Sequence, residues 1–131
     1  KNSERTSFEL ISSDIDDTES SKALLRPDGK IEMFITKRDL TLDEKANFVF
    51  GGEAIGFFKL SSDDSKKFID HYKKFESRYV EILWEIPFTD FAKFVDLSVW
   101  SINQGPGCFE IDTQDDYEQA LSIFKKYRDR F

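Results

Sequence analysis

The sequence predicts a mixed α/β or α+β domain, and three segments carry that prediction. Two short apolar runs flank a Pro-Asp-Gly turn over residues 22–36, where Pro fixes φ and Gly accepts a positive φ. A near-continuous apolar run over residues 54–60 favours a strand buried on both faces. Residues 61–75 begin with a Ser-Ser-Asp-Asp cap and repeat apolar side chains at helical spacing. A β-hairpin, a strand and a helix thus follow one another in the chain.

The remaining segments give shorter elements. Residues 1–21 are polar and acidic, and we expect a solvated loop there. The helix at 61–75 should place Phe68, Ile69, Tyr72 and Phe75 on one face. The other expected elements, in chain order, are a short helical piece at Thr41–Ala46, a helix at Arg78–Ile86 that Pro87 stops, a short helix at Thr89–Val95 capped by Thr89, a strand at Leu97–Ile102, a loop at Gln104–Gly107, a strand at Phe109–Asp112 and a helix at Asp115–Tyr127.

Composition narrows the class of protein. A chain of 131 residues suffices for one domain, and its 14 Phe provide large apolar side chains for a core. The net charge of −7 argues against general binding of nucleic acid or anionic membranes. A single cysteine, Cys108, excludes an intrachain disulfide, and the single histidine leaves no His/Cys zinc site. No apolar run approaches the ~18 to 20 residues that cross a bilayer, so a cytoplasmic location is expected.

The segment at residues 109–116 is the strongest candidate for chemistry. Glu110 and Asp112 stand two residues apart on the predicted strand, so both side chains point to one face. Mg²⁺ takes one or two carboxylates together with water and substrate phosphate, so the pair could serve as ligand and supporting partner. The alternative is that Asp112 only helps to cap the last helix, for which Thr113 is a natural N-cap.

Three further candidates lie upstream. Lys37 follows the hairpin and could pair with a phosphate, although most lysines are simply solvated. Glu53 enters an apolar strand after two glycines, so it needs a lysine, a metal or a polar ligand beside it. Tyr79, Glu81 and Trp84 could cage an amine by cation–π attraction, or could form an aromatic helix face in the core. His71 stands in a charged stretch of helix, and we expect it at the surface.

Taken in order, these pieces resemble the second half of the nucleotidyltransferase family over about residues 20–128. The matching motifs are Asp-Gly-Lys-Ile at 28–31, Lys37, Gly-Glu-x-x-Gly at 52–56, Tyr-x-Glu at 79–81 and Glu-Ile-Asp-Thr-x-x-Asp at 110–116. The pattern looks most like the small cytidylyltransferases that activate phosphocholine or 2-aminoethylphosphonate, and next like sugar-1-phosphate nucleotidyltransferases. Cys108-Phe109 stands where that family often has an aromatic pair.

The resemblance implies a fold and a set of roles. It implies the C-terminal half of a Rossmann-like mixed sheet with a β-hairpin and flanking helices, over residues 22–131, preceded by a lead-in at 1–21. Asp112 would bind the Mg²⁺ cofactor and Glu110 would support the metal site. Lys37 would contact a phosphate in catalysis. The acceptor substrate would lie near Glu53, Tyr79, Glu81 and Trp84.

The implied reaction transfers a nucleotidyl group from an NTP, CTP being favoured, to a phosphorylated small molecule with release of pyrophosphate. The chain lacks Gly-x-Gly-x-Arg and Pro-Lys, which carry nucleotide binding in the family's first half. We therefore expect this chain alone to be inactive, and its partner to be the missing N-terminal half of the same fold. Neither nucleic acid nor membrane is an expected partner, and homo-oligomers stay possible. The alternatives are a sugar-1-phosphate acceptor with UTP, GTP or dTTP, and a non-catalytic half-domain that binds or regulates a partner.

Overall fold

The structure is a computed structural model that describes residues 5–102 and 111–128. The chain forms two compact units, residues 1–101 and residues 102–131. The first unit contains the sheet and four helices, and the second contains the C-terminal helix. Among the described helices, none combines the length and the apolar composition that crossing a membrane requires.

A five-stranded sheet organises the first unit. Its strands are β1 Ser7–Ile11, β2 Lys22–Leu25, β3 Ile31–Ile35, β4 Val49–Lys59 and β5 Ser98–Ile102. The strand order is β3-β2-β4-β1-β5, and the β2–β3, β2–β4 and β1–β4 pairs are antiparallel. The helices are α1 Leu42–Asn47, α2 Ser62–Lys74, α3 Glu76–Tyr79 and α4 Glu85–Phe91 in this unit, and α5 Gln114–Tyr127 in the second.

The predicted hairpin at 22–36 is confirmed as β2 and β3. Gly29 adopts a φ of +80°, and its N–H donates to the carbonyl oxygen of Arg26 at 2.9 Å. The Asp28 carboxylate accepts a 2.9 Å hydrogen bond from the N–H of Lys30. Each residue of the Pro-Asp-Gly motif therefore does what its chemistry predicts.

The core lies on both faces of the sheet because successive strand residues point to opposite sides. On one face Phe8 of β1, Ala23 of β2 and Phe34 of β3 pack against Phe88 and Phe91 of α4. On the other face a smaller cluster contains Leu24, Ile35 and Leu40. The helices α2 and α4 thus cover the first face, which carries most of the buried apolar area.

The prediction of a solvated loop over residues 1–21 is wrong at its centre. Residues 7–11 form β1, and Phe8 and Leu10 are 1% and 0% exposed. The alternation of apolar and polar residues in Ser7–Ile11 is a strand pattern, but it is too short to stand out beside the acidic run that follows. The lead-in expected at 1–21 therefore supplies a strand to the sheet.

The strand predicted at 54–60 exists, but it is not buried on both faces throughout. β4 begins earlier, at Val49, and Phe57 and Phe58 are 66% and 43% exposed. The reason is geometric: β2 has only four residues, and it pairs with β4 only over Val49–Glu53. Beyond that point β4 pairs with β1 alone, so its far end is less well covered.

The two helices predicted at Arg78–Ile86 and Thr89–Val95 are wrong in their boundaries. Helix α3 ends at Tyr79, and Pro87 lies in the first turn of α4. Proline is tolerated there because first-turn N–H groups have no partner within the helix. Thr89 lies inside α4, and its hydroxyl accepts a 3.0 Å hydrogen bond from the N–H of Phe34 on β3.

Most of the other predicted elements are confirmed. They are the helix near residue 41, where Thr41 forms a capping box with Glu44, the helix at 61–75 with Ser61 as N-cap, the strand at 97–102 and the last helix. Ile69 is half exposed, so the apolar face of α2 is narrower than expected. The loop predicted at 104–107 and residues 109–110 of the last predicted strand lie outside the described residues. Ile111 and Asp112 are not part of a strand.

Candidate functional site

A row of register partners runs across the strands of the sheet, and it relates the positions of the candidates Lys37 and Glu53. Lys22 of β2 is the register partner of both Ile35 on β3 and Glu53 on β4, and Glu53 also faces Ile11 on β1. Adjacent strands lie about 4.8 Å apart, so the backbones of Ile35 and Glu53 are separated by about 10 Å. Lys37 follows Ile35 by two residues. The topology therefore brings Lys37 and Glu53 into one neighbourhood, at the end where β3 stops and β2 begins.

Lys37 is exposed and has a φ of +55°, which turns the chain sharply after β3. Its neighbour Arg38 is already engaged by Glu44 through two contacts of 2.7 and 3.0 Å. These hydrogen bonds from Arg38, together with those from Thr41, lower the pKa of Glu44 to about 2. Of the two adjacent cations, Lys37 is thus the one that stays open to solvent and to a phosphate.

Glu53 lies partly buried on β4, directly across from a lysine that is fully buried. The ammonium of Lys22 donates to the main-chain oxygens of Asp17 and Ser20. Opposite charges on facing positions of an antiparallel pair stabilise each other. The sequence predicted a lysine, a metal or a polar ligand beside Glu53, and the ladder places Lys22 opposite it, with the Lys22 ammonium directed to these two main-chain oxygens.

Glu85 is a functional candidate that the sequence reasoning missed. This first residue of α4 is 5% exposed, and its Oε1 accepts a 2.6 Å hydrogen bond from the hydroxyl of Ser21. Its Oε2 is buried and has no hydrogen-bond partner in the part of the chain that the structure describes. A buried carboxylate oxygen without a partner is unfavourable unless a cation or donor meets it. Only its position next to Trp84 could have drawn attention to it.

Ser21 connects Glu85 to the sheet-end neighbourhood. The Ser21 carbonyl oxygen accepts a 2.8 Å hydrogen bond from the N–H of Ala54, the residue after Glu53. The Trp84 ring lies 5.5 Å from the ring of Phe34 on β3, on the sheet face opposite the one to which Ile35 and its register partner Lys22 point. We call Ser21, Lys22, Lys37, Glu53, Trp84 and Glu85 the sheet-end cluster.

The structure does not bring Tyr79 and Trp84 into one aromatic cage. The Trp84 ring packs with Phe8, Phe34, Phe58 and Phe88. Tyr79 packs with His71, Tyr72 and Phe75, and it is 3% exposed. Glu81 is exposed with a φ of +61°, in the link between α3 and α4.

His71 is half-buried rather than fully exposed, and it has a hydrogen-bond partner that the sequence did not predict. Its Nε2 lies 2.7 Å from the hydroxyl of Tyr79, which in turn donates a 2.8 Å hydrogen bond to Asp90. Burial lowers the pKa of His71, and burial followed by the Asp90 contact raises the pKa of Tyr79 to about 12. Although burial acts to raise the pKa of Asp90, hydrogen bonds from Tyr79 and Lys93 hold it below its ordinary value. Sequence periodicity assigned Tyr72 to the inner face of α2 but gave no sign that His71 shares it.

The predicted metal ligands belong to the second unit. Glu110 lies outside the described residues, and Asp112 is exposed just before α5. The carboxylate that caps α5 is Asp116, which accepts from the N–H of Thr113 at 2.8 Å and from that of Asp112 at 3.2 Å. Among the described residues no group of three or more His, Cys, Asp or Glu is arranged to hold a metal. A single exposed carboxylate still matches Mg²⁺, which takes one or two carboxylates and completes its shell with water and phosphate.

Comparison with known proteins supports the predicted fold. No protein-family model matches the chain, and no curated protein matches it. Among solved structures the chain is similar to the CTP:phosphocholine cytidylyltransferase LicC from Streptococcus pneumoniae, with 19% sequence identity and a TM-score of 0.66. The match covers 92% of this chain and 48% of that one. The predicted α/β fold with a sheet and flanking helices is thereby confirmed as similar to the fold of that protein, and the chain spans about half the length of the protein it matches.

Proposed function

We propose that this chain is the acceptor-side part of a nucleotidyltransferase that couples an NTP, with CTP favoured, to a phosphorylated amine and releases pyrophosphate. The candidate acceptors are phosphocholine and 2-aminoethylphosphonate. The observation that carries the proposal is the sheet-end cluster, whose members include an exposed cation, an aromatic ring and a buried carboxylate oxygen that has no hydrogen-bond partner among the described residues. The cluster occurs in a fold similar to that of a CTP:phosphocholine cytidylyltransferase.

The two ends of such an acceptor match different members of the cluster. Lys37 offers an exposed ammonium to the acceptor phosphate, whose oxygen attacks the α-phosphorus of the NTP as pyrophosphate leaves. The Oε2 of Glu85, beside the Trp84 ring, suits the positively charged amine. The resemblance also assigns Glu53 and Glu81 to the acceptor, and both carry a carboxylate at the first unit's surface or near it. The role of Tyr79 would be indirect, because its hydroxyl is already hydrogen-bonded to Asp90 and His71. It would hold in place α3 and α4, the helices on either side of Trp84.

Asp112, supported by Glu110, would hold Mg²⁺, which neutralises charge on the reacting phosphates when it is bound. Residues of the chain itself would have to orient the acceptor and accommodate its protonation state. A phosphate acceptor is already ionised near neutral pH, so this part of the site needs no general base and works by positioning. A cation at Lys37 and an anion at Glu85 would fix the acceptor at both ends.

The test is pyrophosphate release by the whole gene product that contains these residues, compared with the 131-residue chain alone. The panel pairs CTP, UTP, GTP and dTTP with phosphocholine, 2-aminoethylphosphonate and glucose 1-phosphate. We expect release with CTP and one of the two amine acceptors, and none from the chain alone. Asp112→Asn should abolish most of the release, whereas Asp115→Asn, an exposed carboxylate in the first turn of α5, should not. Absence of release with every pair would overturn the proposal.

A non-catalytic role is the second candidate, and exposed apolar side chains favour it. Trp100 on β5 is 68% exposed and Phe57 on β4 is 66% exposed. Exposed large apolar residues of this kind often mark contact with another protein. If the whole gene product releases no pyrophosphate but Trp100→Ser abolishes a stable complex with a partner, this second role replaces the first.

A further inference from the structure

A second concave surface lies among α2, α3 and α4, built from residues outside the sheet-end cluster. It is an open cleft of about 530 Å³. Its lining includes His71, Lys74, Phe75, Arg78, Lys93 and Phe94, with the Asp90 carboxylate among them. Three cations and two carboxylates, Asp70 and Asp90, thus line one cleft, which gives it a net positive charge in a chain whose net charge is −7.

The cations of this helical cleft keep unused hydrogen-bonding capacity. Arg78 contacts Asp90 through one guanidinium nitrogen at 3.2 Å, and Lys93 contacts the other Asp90 oxygen at 3.2 Å. Their side chains are 60% and 69% exposed. The Lys74 ammonium lies 5.5 Å from the centre of the Phe75 ring. Because guanidinium has five N–H donors and ammonium has three, an anion entering the cleft would find donors on three sides.

The walls between these cations are aromatic. Phe94 is 56% exposed, and its ring centre lies 4.9 Å from that of His71. The Phe75 ring lies 5.0 Å from His71 on the other side. A flat apolar group could pack on these rings while an attached anionic group contacts the cations.

The hydrogen bonds beneath the cleft determine which ring nitrogen of neutral His71 carries the proton. The Tyr79 hydroxyl donates its proton to Asp90, so its oxygen accepts from an N–H at Nε2 of His71. Neutral His71 therefore carries no proton on Nδ1. Protonation would add a second N–H and a full positive charge to a ring that lines the cleft.

We propose that this helical cleft binds a small aromatic anion, a flat ring bearing a phosphate, sulfonate or carboxylate group, and that protonation of His71 strengthens the binding. The site is separate from the proposed transferase chemistry and does not depend on it. The charged and titratable groups that line the cleft or contact His71 are Asp70 and Lys74 on α2, Arg78 and Tyr79 on α3, Asp90 on α4 and Lys93 two residues after α4.

The direction of the pH effect follows from these neighbours. Burial lowers the pKa of His71 below its usual 6.5, and of the charges around it Asp90 acts to raise that pKa while Arg78 and Lys74 act to lower it. His71 is therefore neutral above that pH and gains its charge only in more acidic solution. A bound anion favours the charged ring, so affinity should rise as the pH falls through this range.

The experiment titrates the 131-residue chain with benzenesulfonate and follows the backbone amides and the His71 ring by NMR. This probe keeps one negative charge from pH 8 to pH 5.5, so a change in affinity reports on the protein. We expect saturable shifts in α2, α3 and α4, and an affinity about threefold or more higher at pH 5.5 than at pH 8. Methanesulfonate, which lacks the ring, and benzenesulfonamide, which lacks the charge, should bind more weakly.

Variants make the proposal falsifiable. Lys74→Gln leaves both contacts of Asp90 intact and should weaken binding about two- to fivefold. Lys66→Gln, an exposed lysine on α2 that does not line the cleft, should change nothing. In His71→Gln the amide can still donate to Tyr79, so the fold should persist while the pH dependence disappears. Shifts that do not saturate, that respond equally to both lysine variants, or that stay constant with pH would overturn the proposal.

Discussion

The hydroxyl of Tyr79 donates a 2.8 Å hydrogen bond to Oδ2 of Asp90 and thereby ties α3 to α4. Asp90 is 8% exposed and Tyr79 is 3% exposed, so the bond is shielded from water. The same oxygen of Asp90 contacts Arg78, and His71 completes the set on the other side of the hydroxyl. A short loop with an unusual backbone angle at Glu81 follows α3, so this bond helps to fix where the next helix begins.

We expect Tyr79→Phe to destabilise the fold by about 1 to 3 kcal/mol, because it leaves His71 and one Asp90 oxygen short of a buried partner. The measurement is urea unfolding at pH 7. The control is Tyr117→Phe on α5, where the side chain is 48% exposed and the change should be within about 0.5 kcal/mol. Equal stability of the two variants would show that the buried bond contributes little.

Gly52 and Gly56 on β4 provide a matched pair of backbone tests. Both have positive φ, +117° and +77°. A Cβ at Gly52 would lie 2.3 Å from the carbonyl oxygen of Ile11, whereas a Cβ at Gly56 would meet nothing within 4 Å. Gly56→Ala should therefore show only the left-handed backbone strain of about 1 to 2 kcal/mol.

Gly52→Ala should be clearly worse than Gly56→Ala, because β1 and β4 would have to separate in addition to the backbone strain. Thermal unfolding of the two variants measures the difference. If they unfold at the same temperature, the β1–β4 ladder accommodates the methyl group and the close approach has no structural role.

Glu44 makes stability depend on pH in the acidic range. Hydrogen bonds from Arg38 and Thr41 lower its pKa from 4.5 to about 2. A carboxylate with a lowered pKa stabilises the fold above its unfolded pKa, and this contribution disappears as the pH falls from about 4.5 toward 2. Because Arg38 is half exposed, solvent screens the pair and the contribution should be about 1 kcal/mol.

Urea midpoints between pH 7 and pH 2.5 for the wild type and for Glu44→Gln test this. The two proteins should differ most at pH 7 and converge near pH 2.5. A gap that stays constant across the range would mean that the ionised form of Glu44 is not the source of the stability.

Glu85→Gln separates a binding role from a packing role. Glutamine keeps an oxygen that can accept from Ser21, and it removes the buried charge, so the free energy of unfolding should stay the same or increase. In the whole gene product, KM for 2-aminoethylphosphonate should rise about tenfold, since its primary ammonium can donate a charged hydrogen bond, which contributes about 1.5 to 3 kcal/mol.

The acceptor without an amine provides the contrast for Glu85→Gln. Any release with glucose 1-phosphate should be unchanged, and Glu76→Gln, an exposed carboxylate on α3, should leave both acceptors unaffected. An equal rise in KM for both acceptor classes would contradict the assignment of Glu85 to the amine.

Local chemistry made several parts of the fold predictable. The hairpin turn, the caps at Thr41, Ser61 and Thr113, and the helix that each cap begins depend on residues a few positions apart. Where the outcome depended on distant neighbours the predictions failed. β1 is too short to be recognised from its own sequence, because its pairing with β4 is what places Phe8 and Leu10 in the core. Pro87 predicts the end of a helix unless the start of α4 is known.

The candidate site divides in the same way. The sequence singled out Lys37, Glu53 and Trp84, but it could not show that Lys22 lies between Glu53 and Ile35, two residues before Lys37, in one row across the sheet. It also missed Glu85, because a Glu after a Trp on a helix is ordinary until its burial and its single contact to Ser21 are known. Tyr79 and Trp84 are five residues apart, yet the break after α3 sends their rings into different clusters.

The sequence by itself determined the α/β class, the hairpin and the capped helices, because turns, caps and periodicity are local properties. Only the tertiary structure decided which side chains share a space. It aligned Lys22 between Ile35 and Glu53, and it placed the half-buried His71 within hydrogen-bond distance of Tyr79. The physical reason is that strand register and helix packing join residues far apart in the chain, and burial then changes the hydrogen bonds and charges that those residues can keep.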